Sequence, residues 1–313
     1  MNESSTPRGA AQGASLGSDR PGFMLPGGRM SVEHRGSLPR AALAAARLLG
    51  PAARHVVSAG RKADCATLHR RERRWARGVV SALGIELTIR GLDRIAPGER
   101  YVVAPLHEGF ADPVALMHLP LNLTWMARAE LQDWKMLGRY LAATDQLVVD
   151  PEHGDFRELV GKGAATFDRG DNLVVFPQGS ILGIELAFRP GAFWLAERLN
   201  RPVLPVVLTG GHMVWEHPFS PLLRFGQSIE MDVLEPIPAG EARAEMASIE
   251  ARMRAMALTP SRVQPRRYAP ERDGYWDGYG FEISPDFPRL AALVAAHRAR
   301  GLAPDASHPS EVG

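Results

Sequence analysis

The stretch that decides the fold is Tyr101-Val-Val-Ala-Pro-Leu-His107-Glu-Gly-Phe-Ala-Asp112-Pro113. A short apolar run reads as a buried strand, a Gly-containing loop presents a histidine, and an aspartate five positions later precedes a proline and a new apolar run. In α/β enzymes reactive groups sit on loops at the carboxyl ends of strands. A neutral imidazole there can take a proton from an attacking hydroxyl, while a carboxylate on its other nitrogen fixes the tautomer and stabilises the imidazolium. The same residues have a plainer reading, since Asp followed by Pro is also an ordinary helix start, with Asp as the cap and Pro in the first turn.

Outward from this block, short β-rich runs alternate with helical patterns. Strands are expected at 86–90, 101–104, 123–126, 146–149, 173–176, 203–208 and 229–233, and helices at 113–118, 130–142, 156–168 and 191–199. The alternation predicts an α/β domain over residues 85–240, with a mostly buried mixed sheet flanked by helices. Glu235-Pro-Ile-Pro-Ala-Gly240 closes it, and a helix follows over 241–258. Gly161-Lys-Gly163 lacks the spacing of a phosphate-binding loop and reads as part of a helix.

The flanks read differently. Residues 1–36, dense in Gly, Ser and Pro, are expected to be disordered. Residues 37–84 suggest two amphipathic helices, 39–59 and 62–83. In the second, Leu68, Trp75, Val79 and Leu83 share one side, and Arg70, Arg73, Arg74 and Arg77 another. Such a helix suits the headgroup region of an anionic bilayer, or equally the surface of a globular domain. Residues 259–313 form a basic linker and a tail with five aromatics between Tyr275 and Phe287, interleaved with Asp273, Asp277, Glu282 and Asp286. It reads as a segment packed on its own domain, or else as a lid or interfacial anchor.

Composition narrows the class. At 313 residues, with 45% hydrophobic and 23% charged residues, the chain is that of a globular protein, and a net charge of +2 gives no reason to expect nucleic acid as a partner. The single cysteine, Cys65, excludes an internal disulfide framework and a Cys-rich metal site, and no metal is expected. No stretch reaches the roughly 18 uninterrupted apolar residues of a membrane-spanning helix, and the first residues lack a signal-peptide pattern. The expectation is a cytoplasmic protein, peripheral to the inner face of the membrane.

A second block, Leu173-Val-Val-Phe176-Pro177-Gln178-Gly179-Ser180, is a strand ending in a Pro and a Gly-Ser turn. Gly at that place lets backbone N–H groups approach a ligand, although a simple strand-ending turn reads the same way. Together and in order, the blocks resemble the lysophosphatidic acid acyltransferase family of glycerolipid acyltransferases over about residues 75–240. His107 and Asp112 match its His-x-x-x-x-Asp motif, and Phe176-Pro-Gln-Gly-Ser180 is similar to its Phe-Pro-Glu-Gly-Thr block. Phe188-Arg-Pro-Gly-Ala192 is similar to Phe-Lys-x-Gly-Ala, and Arg201-Pro-Val-Leu-Pro-Val206 to a proline-containing strand late in the domain.

The resemblance implies an acyltransferase that moves a fatty acyl group from acyl-CoA or acyl carrier protein to a hydroxyl of a lysophospholipid or related lipid, with no cofactor and no covalent enzyme intermediate. His107 would be general base, Asp112 would orient it, and the backbone near Gly179 would hold substrate or the tetrahedral intermediate. Arg128, Phe176, Pro177, Gln178, Gly179, Ser180 and Arg189 would bind substrate. Two departures fall on the acceptor side. Gln178 replaces the family's Glu, and Val149-Asp150-Pro151 stands where the family has an Arg assigned to the acceptor's phosphate; an Asp repels a phosphomonoester. Glu108 also replaces a small polar residue beside the histidine. The alternatives are a lipid-binding scaffold on the same fold and a thioesterase-like hydrolase.

Overall fold

In the computed structural model the described residues run from 21 to 259, apart from 26–27, 33, 51–64, 134, 151–154, 180–185 and 217–219, together with positions 292 and 295. The main sheet has seven strands: β3 (Glu86–Arg90), β4 (Val102–Pro105), β5 (Leu123–Arg128), β6 (Leu147–Val149), β7 (Asn172–Val174), β8 (Val203–Thr209) and β11 (Ser228–Val233). All seven lie on the runs that the sequence singled out. Their spatial order is β3-β11-β8-β4-β7-β5-β6. From β8 to β6 every pairing is parallel, whereas β11 runs antiparallel to β8 and carries β3 parallel to itself. The sheet is therefore mixed.

The central strands are apolar throughout because helices cover both faces. Every residue of β8 is buried. Along it Val203 and Val207 face one core, while Leu204, Val206 and Leu208 face the other. The first core is closed by helices α5 (Phe156–Asp168), α6 (Gly191–Arg198) and α8 (Ala242–Ala257). The second is closed by α1 (Leu38–Leu49), α2 (Cys65–Leu83) and the short α3 (Asp112–Leu116). Helix α4 (Lys135–Ala143) links β5 to β6. Gly161-Lys-Gly163 lies inside α5, as expected.

Two expectations about the flanks change. Residues inside the segment read as disordered pair as an antiparallel hairpin, β1 (Gly22–Leu25) and β2 (Gly28–Ser31), in register Gly22↔Ser31 to Leu25↔Gly28. The Pro and Gly between two apolar runs are hairpin-turn chemistry as well as a low-complexity signal. The hairpin extends into a second small sheet, with β2 beside β10 (Ser220–Leu223), and β10 beside β9 (Trp215–Glu216). Helix α1 stops at Leu49 rather than 59, and the remainder of that expected helix lies outside the described residues, as does the aromatic tail.

For α2 the packing is that of the second of its two readings, a helix of a globular domain. Its apolar side does not await a bilayer: Leu68, Ala76, Val79 and Leu83 are buried in the domain's own packing, leaving Arg70, Arg74 and Arg77 outward. Arg73 donates to the carbonyl of Leu121 and to Asn122 Oδ1. Among the described residues no helix is long and apolar enough to cross a membrane.

The buried face of α2 also carries charge. His69 and Glu72 are each 3% exposed. His69 Nδ1 meets Glu72 at 2.7 Å and Nε2 meets Asp171 at 3.0 Å, so both ring nitrogens are engaged. Tyr140 donates to the second oxygen of Glu72, and Thr124 and Cys65 donate to Asp171. Burial alone would lower the His69 pKa, but the hydrogen bonds to Asp171 and Glu72 outweigh it and raise it to about 9. Burial and the bond to Asp171 push the Cys65 thiol up to about 12. Burial opposes ionisation of Asp171, yet its bonds to His69 and Cys65 prevail and hold it below the usual carboxylate value.

Candidate active site

Strand β4 ends at Pro105, and the next seven residues fold back around one carboxylate. Asp112 is fully buried, and its Oδ2 accepts from the backbone N–H groups of Glu108 (2.6 Å) and Gly109 (2.9 Å) while lying 2.8 Å from His107 Nδ1. Asp112 does not cap its own helix. It occupies the first turn of α3, with Ala111 as the cap residue, and its side chain turns back on the loop. The helix-start reading therefore describes the backbone correctly and leaves the carboxylate unexplained. Two N–H donors stabilise the ionised form, so the carboxylate is suited to hold a proton on His107 Nδ1 and leave Nε2 as the acceptor.

The imidazole is held by a second contact. The ring of Phe176 stacks on it with centroids 3.8 Å apart and 18° between planes, and Trp125 stacks behind Phe176 at 6.4 Å. The His107 side chain keeps 15% of its surface exposed, and among the described residues its Nε2 meets no partner. An oriented imidazole with one nitrogen open is what a general base requires.

The second block meets the first through its side chains and not its glycine. Gln178 is fully buried, and its Oε1 accepts from the backbone N–H of His107 at 3.0 Å. Gln178, expected on the acceptor side, thereby braces the loop that carries His107, a task an amide performs without the cost of burying a charge. The Gly179 N–H closes its turn on the carbonyl of Phe176 at 3.1 Å, so in this conformation it is not aimed at a ligand. Pro177 is buried, and its carbonyl accepts from the Arg189 N–H, which brings Arg189 beside Gly179. Arg128 ends β5 on the same carboxyl edge of the sheet, paired with Val149, and exposed Asp150 follows. Ser180 lies outside the described residues.

Sequence reading missed a third layer. Glu108, 1% exposed, accepts from the Gly210 N–H and pairs with His212 Nδ1, both at 2.9 Å. This second acid–histidine pair fastens the His107 loop to the turn after β8, where helix α7 (Gly211–Val214) begins. The segments approach so closely that a Cβ on Gly211 would sit 1.7 Å from Asp112 Oδ1, and one on Gly109 2.8 Å from the Trp215 carbonyl. Both positions require glycine. The signal for this layer was Gly210-Gly211-His212 directly after an apolar strand, yet nothing local ties it to Glu108.

Fold and site define an α/β protein with an aspartate-held histidine at the carboxyl edge of a mixed sheet, and comparison with known proteins narrows the class. The model of the Acyltransferase family matches residues 86–209. The chain is 30% identical over 131 residues to human 1-acyl-sn-glycerol-3-phosphate acyltransferase alpha, covering 40% of this chain and 46% of that protein. It is 29% identical over 228 residues to the lyso-ornithine lipid O-acyltransferase of Pseudomonas aeruginosa, covering 66% of this chain and 86% of that one. The chain thus spans about half the length of the human relative and most of the bacterial one. The crystal structure of the 1-acyl-sn-glycerophosphate acyltransferase PlsC from Thermotoga maritima shares the fold, with a TM-score of 0.59 at 14% identity over 72% of this chain and 96% of that one. Residues 86–209 thus match the Acyltransferase family, and the chain is similar to lysophosphatidic acid acyltransferases and to a lyso-ornithine lipid O-acyltransferase.

Proposed function

We propose that this protein transfers a fatty acyl group from a thioester, acyl-CoA or acyl carrier protein, to the hydroxyl of a lysolipid at a membrane surface. The observation that carries the reading is the buried Asp112 on Nδ1 of a histidine whose Nε2 meets no partner among the described residues. In the reaction, Nε2 of His107 takes the proton of the acceptor hydroxyl as its oxygen attacks the thioester carbonyl carbon. The tetrahedral intermediate collapses with breakage of the C–S bond, and the imidazolium returns its proton to the leaving sulfur. The products are an ester and a free thiol. Asp112 stabilises the imidazolium between the two steps without itself becoming protonated.

The acceptor we infer is not a phosphomonoester. Asp150 stands at the carboxyl end of β6, in place of the arginine of the family's pattern, and the relative that spans most of this chain is named for an amino acid lipid rather than a glycerol phosphate. Arg128 and Arg189 on the same side supply charge for a headgroup or for the donor's phosphates. The outward arginines of α2 suit an anionic bilayer through charge alone. The test is steady-state transfer from acyl-CoA and from acyl carrier protein to a panel holding lysophosphatidic acid, neutral lysolipids and lyso-ornithine lipid, followed by mass spectrometry of the products. Preference for lysophosphatidic acid would overturn the acceptor assignment. Release of free fatty acid with every acceptor would replace the transferase by a hydrolase.

A further inference from the structure

We propose that Cys65, His69 and Asp171 form a site for one divalent transition-metal ion of the zinc type, away from His107. Cys65 and His69 are four residues apart on α2 and so project from the same face, and Asp171, immediately before β7, meets them from the sheet. Cys65 Sγ and His69 Nε2 each lie 3.0 Å from Asp171 Oδ1, and the three ligand atoms are all within 4.8 Å of one another. Zinc bonds of about 2.0–2.3 Å in tetrahedral geometry place such atoms roughly 3.3–3.6 Å apart. The two contacts to Asp171 need to open by only a few tenths of an ångström to admit the ion.

The surroundings are those of a metal site in two further respects. The other nitrogen of His69 meets a carboxylate, Glu72 at 2.7 Å, the carboxylate–histidine arrangement that orients a ligand imidazole, and Glu72 is held in turn by the Tyr140 hydroxyl. The second oxygen of Asp171 accepts from Thr124 at 3.0 Å, which leaves Oδ1 facing Cys65 and His69. Thiolate, imidazole and carboxylate are together a donor set that zinc accepts, and the part-exposed Cys65 leaves one side open for entry and for a water as fourth ligand. Binding releases two protons, one from the Cys65 thiol and one from His69 Nε2, while Nδ1 keeps its proton toward Glu72. Asp171 precedes β7 whereas the catalytic turn follows it, so the ion joins α2 to the amino end of the sheet and takes no part in acyl transfer.

The test uses the full chain, stripped with a chelator and titrated with Zn2+ and separately with Co2+. Because Cys65 is the single cysteine, a thiolate-to-cobalt charge-transfer band in the unaltered protein can come from no other residue. The expected result is saturation at one ion per chain with that band present. Cys65→Ser should remove the band, and Glu72→Gln should weaken binding by about 10- to 100-fold through the orientation of His69 alone. Absence of the band at saturating Co2+, or Zn2+ binding unchanged in Cys65→Ser and Glu72→Gln, would show that the group is only a hydrogen-bonded ion cluster. The band in the unaltered protein decides even where a variant fails to fold.

Discussion

Two of the buried carboxylate–histidine groups, those of His107 and His69, lie at opposite ends of one sheet, and they differ in a single respect that determines what each can do. At the carboxyl end, His107 has Asp112 on one nitrogen and nothing among the described residues on the other, with 15% of its side chain exposed. At the amino end, His69 has a carboxylate on each nitrogen and is 3% exposed. An imidazole with one nitrogen open can move a proton to and from a substrate. One held on both sides can only join the elements that hold it, here α2, α4 and the sheet, unless an ion displaces its Nε2 proton. The same side chains therefore serve chemistry in one place and architecture in the other, and the distinction lies in the count of satisfied nitrogens.

The sharpest way to break the comparison is to remove each histidine and read both activity and stability. His107→Ala should lower kcat by about 10²- to 10⁴-fold and leave the urea midpoint nearly unchanged; a variant that keeps a tenth of the activity would remove the general-base role. His69→Ala leaves Glu72 and Asp171 buried without the cation between them, and should cost about 3–5 kcal/mol in urea unfolding while the folded fraction retains kcat within about twofold. A large fall in kcat with normal stability would place His69 in the reaction instead.

Smaller effects refine the picture. Glu108→Gln keeps the shape of the brace beneath the His107 loop and weakens its bond to His212, with a loss near 1.5 kcal/mol or roughly tenfold in kcat and little change in KM for the thioester. Equal losses in both parameters would point to a binding role. A milder contrast is expected from pH in chelator-treated protein. The folded pKa of His69, about 9, lies above its ordinary 6.5, so its contribution to stability is complete below about pH 6.5 and is lost as pH rises through 9. Asp171 shifts the other way, and its contribution is present above the ordinary carboxylate value and lost on acidification. Unfolding free energy that is flat between pH 6 and 10 would contradict the assignment of charge on His69.

What was legible along the chain is what short-range physics writes there. Runs of apolar residues broken by Gly and Pro mark buried strands wherever they fall, and seven of them became the main sheet. The pair His107 and Asp112 was legible because both residues sit on one loop, five positions apart, where the backbone alone brings them together. The hairpin at 22–31 was hidden because Gly and Pro signal turns and low complexity alike, and only pairing with β10 distinguishes them.

Other features lay beyond any local pattern. Glu108 finds His212 across 104 residues, His69 finds Asp171 across 102, and Gln178 reaches the backbone of His107 across 71. The sequence by itself determined the strands, the alternation and the pairing of His107 with Asp112, since periodicity and loop geometry act over a few residues. Only the tertiary structure decided that Gln178 braces the loop, that the apolar side of α2 belongs to the core, and that one histidine is open while the other is closed. Those outcomes depend on which distant groups the packing of the sheet leaves within hydrogen-bonding reach.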